Sequence, residues 1–254
     1  MFRTISIFAA VALLAILPAI ARAADDPDDE DDQPNLIVTA DFNHDGIMDI
    51  AEAVANPHDP SAPYHLEIQL GQKDGSFRSA QSNTEVGRKP QSLVVGDFNH
   101  DGIPDLIVAN RDGSLLEFLG DGSGQFTSAG EIAHLSSISS ITIGKFSRDG
   151  AIGLAVADSL SSTVTIYLGA PTSPSGPTST QASFRAAWSF ALPMRGKTYR
   201  LASADFNSDG ISDLAITQDG DEGDYQVLIG NGNGTFTFSA DLSKLADPSA
   251  HCVT

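Results

Sequence analysis

One motif occurs four times along this chain, at a period of 48 to 60 residues, and that restricts the fold to architectures stacked from a single small unit. The copies read LIVTADFNHDGIMDIAEAV (36–54), SLVVGDFNHDGIPDLIVAN (92–110), ITIGKFSRDGAIGLAVADS (141–159) and LASADFNSDGISDLAITQD (201–219). Each is followed by an apolar residue and a glycine: Leu70-Gly71, Leu119-Gly120, Leu168-Gly169 and Ile229-Gly230. A phenylalanine comes six positions after three of these glycines, at Phe77, Phe126 and Phe236. In the third unit Phe184 comes fifteen positions on, and the extra residues coincide with the Pro/Ser/Thr-rich stretch Pro171–Thr180, read as an exposed loop insertion.

Within a unit the hydrophobic period is that of strands. Leu66, Ile68 and Leu70 alternate with Glu67 and Gln69, and Val164, Ile166 and Leu168 alternate with Thr163, Thr165 and Tyr167. Runs such as Leu106-Ile107-Val108 suit strands buried on both faces. Asp112-Gly113 and Asn231-Gly232-Asn233-Gly234 supply turns between strands. Four short strands per repeat predict an all-β, β-propeller-like array of four blades, with units at about 35–90, 91–138, 139–198 and 199–245. Four units are compatible with a closed four-bladed ring, an open array, part of a larger ring, or two chains completing one ring.

The ends predict export. Residues 1–23 combine Arg3, an apolar run from Ile5 to Ile20 and the small-x-small site Ala21-Arg22-Ala23, the pattern of a cleaved signal peptide. The run is too short to span a bilayer, so no stable membrane insertion is expected after cleavage. Residues 24–34 (ADDPDDEDDQP) read as an acidic linker. Loss of Arg3 and Arg22 takes the formal charge from −19 to −21, which argues against nucleic acid and anionic lipid as partners. The 41% hydrophobic content still suffices for a packed core. Cys252 is the sole cysteine and excludes an intrachain disulfide, so a bound ion is the natural alternative staple.

The chemistry is concentrated in the motif itself. Asp41, Asn43, Asp45 and Asp49 occur as D-x-N-x-D-G-x-x-D, and the frame recurs at Asp97, Asn99, Asp101 and Asp105 and at Asp205, Asn207, Asp209 and Asp213. Oxygens at positions 1, 3 and 5 of a tight loop converge, and Gly46, Gly102 and Gly210 at position 6 let the backbone turn with positive φ. Ile47, Ile103 and Ile211 at position 7 offer carbonyls, and the acid at position 9 closes the shell. Calcium is the expected ion, because it accepts six to eight oxygens at flexible geometry. The absence of Cys or His ligands disfavours softer metals. Glu52 completes an EF-hand pattern in the first unit, but Val108 and Ile216 stand at that place in two others, and strands rather than helices flank the loops. The third unit has Lys145, Ser147 and Gly153 at positions 1, 3 and 9, so it is expected to keep the turn without the metal.

The run D-F-N-H-D-G-I-P-D-L, with L-G-D-G-S-G-Q-F further on, resembles FG-GAP repeats, also grouped as VCBS repeats, over about residues 35–240. The resemblance implies integrin-α-like propeller blades whose first inter-strand loop binds calcium, with the three frames above as ligands. It further implies a binding or adhesion module for a protein or glycan ligand. No G-x-S-x-G, H-E-x-x-H or phosphate loop is present, so no catalytic residue and no enzymatic activity are expected. The competing readings are a calcium-dependent polysaccharide lyase or hydrolase, a lectin, and a purely structural scaffold. A homodimer or a truncated propeller is compatible with the count of four units.

Overall fold

Alternating apolar residues become strands throughout the computed structural model, which describes residues 36–239 except 57, 60, 81–83, 171–183, 193–198 and 219–224. The signal-peptide and linker readings, the Pro171–Thr180 insertion and Cys252 lie outside the described residues. All of the described residues belong to the unit 33–254.

Four antiparallel sheets follow one another along the chain. The first blade contains β1 (Leu36–Ala40), β2 (Asp49–Val54), β3 (Tyr64–Gly71) and β4 (Phe77–Ala80). A short β5 (Glu85–Gly87), unforeseen from the sequence, returns to pair with β3 through Tyr64↔Gly87 and His65↔Glu85. The second blade is β6 (Pro90–Gly96), β7 (Asp105–Asn110), β8 (Ser114–Gly120) and β9 (Phe126–His134). The third is β10 (Ile138–Gly144), β11 (Gly153–Asp158), β12 (Thr163–Leu168) and β13 (Arg185–Ala191). The fourth is β14 (Tyr199–Ala204), β15 (Asp213–Gln218), β16 (Tyr225–Gly230) and β17 (Phe236–Phe238). Each blade is an up-and-down meander in chain order, which short hairpin turns permit and parallel pairing would not. Among the described residues no helix is long and apolar enough to cross a membrane.

The hydrophobic core lies between blades, and the two-residue period of a strand explains why. On β7, Leu106 and Val108 pack toward the first blade while Ile107 and Ala109 pack toward the third. On β11, Leu154 and Val156 face the second blade, and Ala155 and Ala157 face the fourth. These strands are buried at every position, as the unbroken apolar runs predicted. The end blades differ. β2 buries Asp49, Ala51 and Ala53 but leaves Ile50, Glu52 and Val54 half-buried, and β15 leaves Ala215 and Thr217 half-buried. The first strands line up in the order β1, β6, β10, β14, each packed on the next. Among the described residues β14 and β1 make no comparable contact, so the array does not close on itself.

A phenylalanine at position 2 of each of the first three loops locks successive blades together. Phe42 meets Phe126 edge-on at 5.4 Å between ring centroids, Phe98 meets Phe184 at 5.8 Å, and Phe146 meets Phe236 at 5.5 Å. Every pair joins the loop of one blade to the outer strand of the next or, at Phe184, to the residue just before it. Such pairs contribute about 0.5–1.5 kcal/mol beyond their area burial. Trp188 stacks on Phe190 at 4.6 Å and lies 6.0 Å from Phe236, so it serves the packing between blades three and four.

Candidate metal-binding loops

The loop between the first two strands of a blade folds the same way in units one, two and four. In the first, Asp45 N donates to Asp41 Oδ1 at 3.1 Å and to Asn43 Oδ1 at 3.0 Å, and Gly46 N donates to Asp41 Oδ2 at 2.8 Å. Ile47 N donates to Asp45 Oδ1 at 2.9 Å, and Asn43 Nδ2 donates to Asp45 Oδ2 at 3.1 Å. The same five bonds recur on Asp97, Asn99 and Asp101. They recur again on Asp205, Asn207 and Asp209. The backbone thus draws the side chains of positions 1, 3 and 5 over one turn. Gly46, Gly102 and Gly210 have φ of 82°, 88° and 85°, where L side chains are strained, as the turn argument required. Position 4 shares the left-handed region, at His44 (58°), His100 (63°) and Ser208 (63°). His100 Nε2 lies 3.1 Å from Ala170 O, which ties the second loop to the third blade.

Position 9 has a further task. Asp49 is fully buried, accepts Phe42 N at 2.8 Å on Oδ2 and accepts Gly71 N at 2.8 Å on Oδ1. Asp105 accepts Phe98 N at 2.9 Å and Gly120 N at 3.0 Å, and Asp213 accepts Phe206 N and Gly230 N, both at 2.8 Å. One carboxylate therefore stitches the loop to the end of the third strand. Any oxygen it lends an ion is a second lone pair. Burial pushes the Asp105 carboxyl up to about 6, against the opposing effect of the amides of Gly120, Phe98 and Asn99, with the nearby Asp101 charge adding to the rise.

The recurring apolar-Gly pair belongs to the same device. A Cβ on Gly71 would lie 2.4 Å from Met48 O and 2.8 Å from Ile47 Cγ2; on Gly120 it would lie 2.4 Å from Pro104 O. The loop sits directly on this glycine, with the position-7 isoleucine (Ile47, Ile103, Ile211) as its apolar underside. Position 7 therefore combines a backbone carbonyl in the loop with a side chain packed inward.

An oxygen-only donor set from two carboxylates and an amide, preformed by the loop's own N–H groups, has the chemistry that a hard cation selects. Among the described residues no three His, Cys, Asp or Glu side chains converge as a ready metal cluster, because the third carboxylate of each frame is turned under the loop. Glu52 is not drawn into the loop. It projects from the opposite face of β2 to Asp49 and stands opposite Glu67 in the β2–β3 register. Burial raises its carboxyl, and the Glu67 charge raises it further.

The third unit uses its loop differently. Lys145 is exposed and forms no ion pair among the described residues. Lys145 N donates to Ser212 Oγ at 2.9 Å, and Ser212 N returns a bond to Lys145 O at 2.9 Å. Arg148 N donates to Gly232 O at 3.1 Å, Gly234 N donates to Phe146 O at 3.0 Å, and Ser147 bridges Asn233. Backbone pairing to the fourth blade thus stands where the other units carry acids. Gly153 stands in place of the position-9 acid, and a Cβ there would lie 2.7 Å from Tyr167 O and 3.0 Å from the Phe146 ring. His134 and His65 are accounted for by Glu131 (2.7 Å) and Glu67 (3.9 Å).

The FG-GAP-like repeat model matches residues 41–108 and again 97–156, a span that covers the first three loops. The fourth, Asp205–Asp213, lies beyond the matched residues yet repeats the bonds of the first two. No curated protein matches the chain. The solved structure of BBS1N in complex with ARL6DN, soaked with lead, is similar over 81% of this chain at 15% identity and a TM-score of 0.47. This chain spans about half (51%) of that protein. With its phased motifs, repeated loops and four antiparallel blades, the chain carries FG-GAP-like repeats over residues 41–156 within an all-β, propeller-like array.

Proposed function

We propose that the protein is an exported, calcium-stabilised binding module, without catalytic activity, that presents a protein or glycan ligand surface from rigid blades. The observation that carries the ion is the threefold recurrence of one hydrogen-bond set around Asp41, Asp97 and Asp205, which gathers like charges that no turn needs. Calcium at these loops neutralises that charge and couples ion concentration to stability. The ligands are Asp41, Asn43, Asp45 and the Ile47 carbonyl, with their counterparts in units two and four, and Asp49, Asp105 and Asp213 beneath them. The binding role is supported by a chain whose recognisable motifs are scaffold and loops, the usual places for variable recognition surfaces.

Isothermal titration calorimetry tests the ion: three calcium ions per chain are expected, and Asp41→Ala, Asp97→Ala and Asp205→Ala each remove one. A wild-type chain that takes up no calcium at millimolar concentration refutes this reading. A glycan array and a pull-down against extracellular protein fractions test the ligand class, and calcium-dependent turnover of a polysaccharide would replace the binding module with an enzyme.

A further inference from the structure

The two end faces of the array carry the two halves of the contact that joins its blades. Phe42, Phe98 and Phe146 are buried against the next blade, whereas Phe206, the same residue in the fourth loop, is 51% exposed. The receiving phenylalanines Phe126, Phe184 and Phe236 have their partners, whereas Phe77, the same residue in the first blade, is 39% exposed. Met48 and Ile37 are exposed on that same side of the first blade. Their counterparts in later blades are covered: the Ile152 Cδ1 atom reaches to 3.5 Å from a Cβ built on Gly96, and Leu201 packs into the core between blades three and four.

Charge follows the same logic. At the junction of blades three and four, Leu201 N donates to Ser140 Oγ at 3.1 Å. The register makes Arg200 the counterpart of Ser140, since each lies opposite the residue four positions after loop position 9 (Ala157 and Thr217). It makes Ile37 the counterpart of Leu201, and Ile37 lies opposite Glu52. Repeating the internal junction at the ends therefore brings Arg200 beside Glu52, which stands where Val108, Val156 and Ile216 bury aliphatic side chains in the other blades. Glu52 and its neighbour Glu67 form the only pair of acids directly opposed between β2 and β3.

We infer that the fourth blade of one chain docks on the first blade of a second copy, with Phe206 on Phe77 and Arg200 against Glu52, as a continuation of the intrachain junction. Such a front-to-back contact is heterologous. Two copies that return on each other close into a ring, and copies that do not close form a chain.

The experiment is sedimentation velocity with light scattering on the purified chain, from about 0.1 to 100 μM, in reducing buffer so that Cys252 cannot cross-link, with calcium and with EDTA. Wild type is expected at twice the chain mass or more at the upper end. Phe206→Glu is expected to weaken association at least a hundredfold. Arg200→Glu alone and Glu52→Lys alone are each expected to remain monomeric, and an equimolar mixture of the two is expected to associate, because the mixed contact restores opposite charges. Circular dichroism melts of the single variants check that each is folded, and the mixture rescues only folded chains. A wild-type chain that stays monomeric throughout overturns the inference. So does a mixture that fails to associate, or either charge variant associating as wild type does. Failure here leaves the calcium stoichiometry untouched, so it is distinguishable from failure of the metal reading.

Discussion

Replacing Asp49 with alanine separates the strut beneath a loop from the proposed ligands above it. The substitution leaves two buried N–H groups, on Phe42 and Gly71, without their acceptor. An unsatisfied buried donor costs about 1–3 kcal/mol, so the pair costs about 2–6. Removing a buried carboxylate returns part of that, which leaves about 3 kcal/mol. Asp41→Ala frees only the Gly46 N–H, because Asp45 N keeps its bond to Asn43 Oδ1, and Gly46 is exposed so that water replaces the acceptor; the cost is below about 1 kcal/mol. Urea unfolding in EDTA reads both, with the slope checked for constancy across variants. Adding calcium to 100 times its Kd contributes about 2.7 kcal/mol per occupied site, which Asp41→Ala forfeits at the first loop. The expected pattern is a large loss for Asp49→Ala in EDTA and a small one for Asp41→Ala that widens in calcium. An Asp49→Ala chain within about 0.5 kcal/mol of wild type in EDTA refutes the strut argument.

Three further outcomes follow from the same geometry. The Asp105 carboxyl titrates near 6 in the fold, above an unfolded carboxylate at about 4, so its stabilising contribution is full below pH 4 and is lost as pH rises through 6. In calcium-free buffer, Asp105→Asn is therefore expected to flatten the decline in melting temperature between pH 4 and 6; an unchanged slope contradicts this. Glu52 is held above its usual range by burial and by Glu67, so its contribution likewise fades as pH rises, and Glu52→Gln is expected to stabilise the dilute, monomeric chain at pH 7 by about 0.5 kcal/mol. Gly120→Ala places a Cβ 2.4 Å from Pro104 O, and chemical denaturation is expected to show a loss of about 2 kcal/mol or more, while Gly75→Ala, with open space but φ of 84°, loses about 1.

Period-two alternation and the phased motif made the four sheets legible in the sequence, because both signals are local to each strand or loop. The positive φ at Gly46, Gly102 and Gly210 was readable for the same reason. What stayed hidden depends on distance along the chain. Asp49 and Gly71 are 22 residues apart, and nothing in either residue announces that the carboxylate accepts that amide. The Phe42–Phe126 contact joins separate repeats, so the sequence showed two recurring phenylalanines without showing that one locks the other. Left-handed backbone at His44 and His100 was not legible even though histidine is among the non-glycine residues enriched there, because the glycine two positions on dominates the turn signal. β5 was missed because a three-residue strand has too little periodicity to stand out.

The third loop gives the array a joint of a different kind. In an array each seam is a separate contribution to the whole. Elsewhere a loop's geometry rests on acidic side chains, the groups through which the proposed calcium would act. Between blades three and four the loop is pinned by amide-to-carbonyl bonds such as Arg148 N to Gly232 O, which have the same strength whatever cation is present. If calcium occupies the acidic loops as proposed, chelation loosens the array there and leaves that seam as the last to part, a permanent rivet among adjustable clasps.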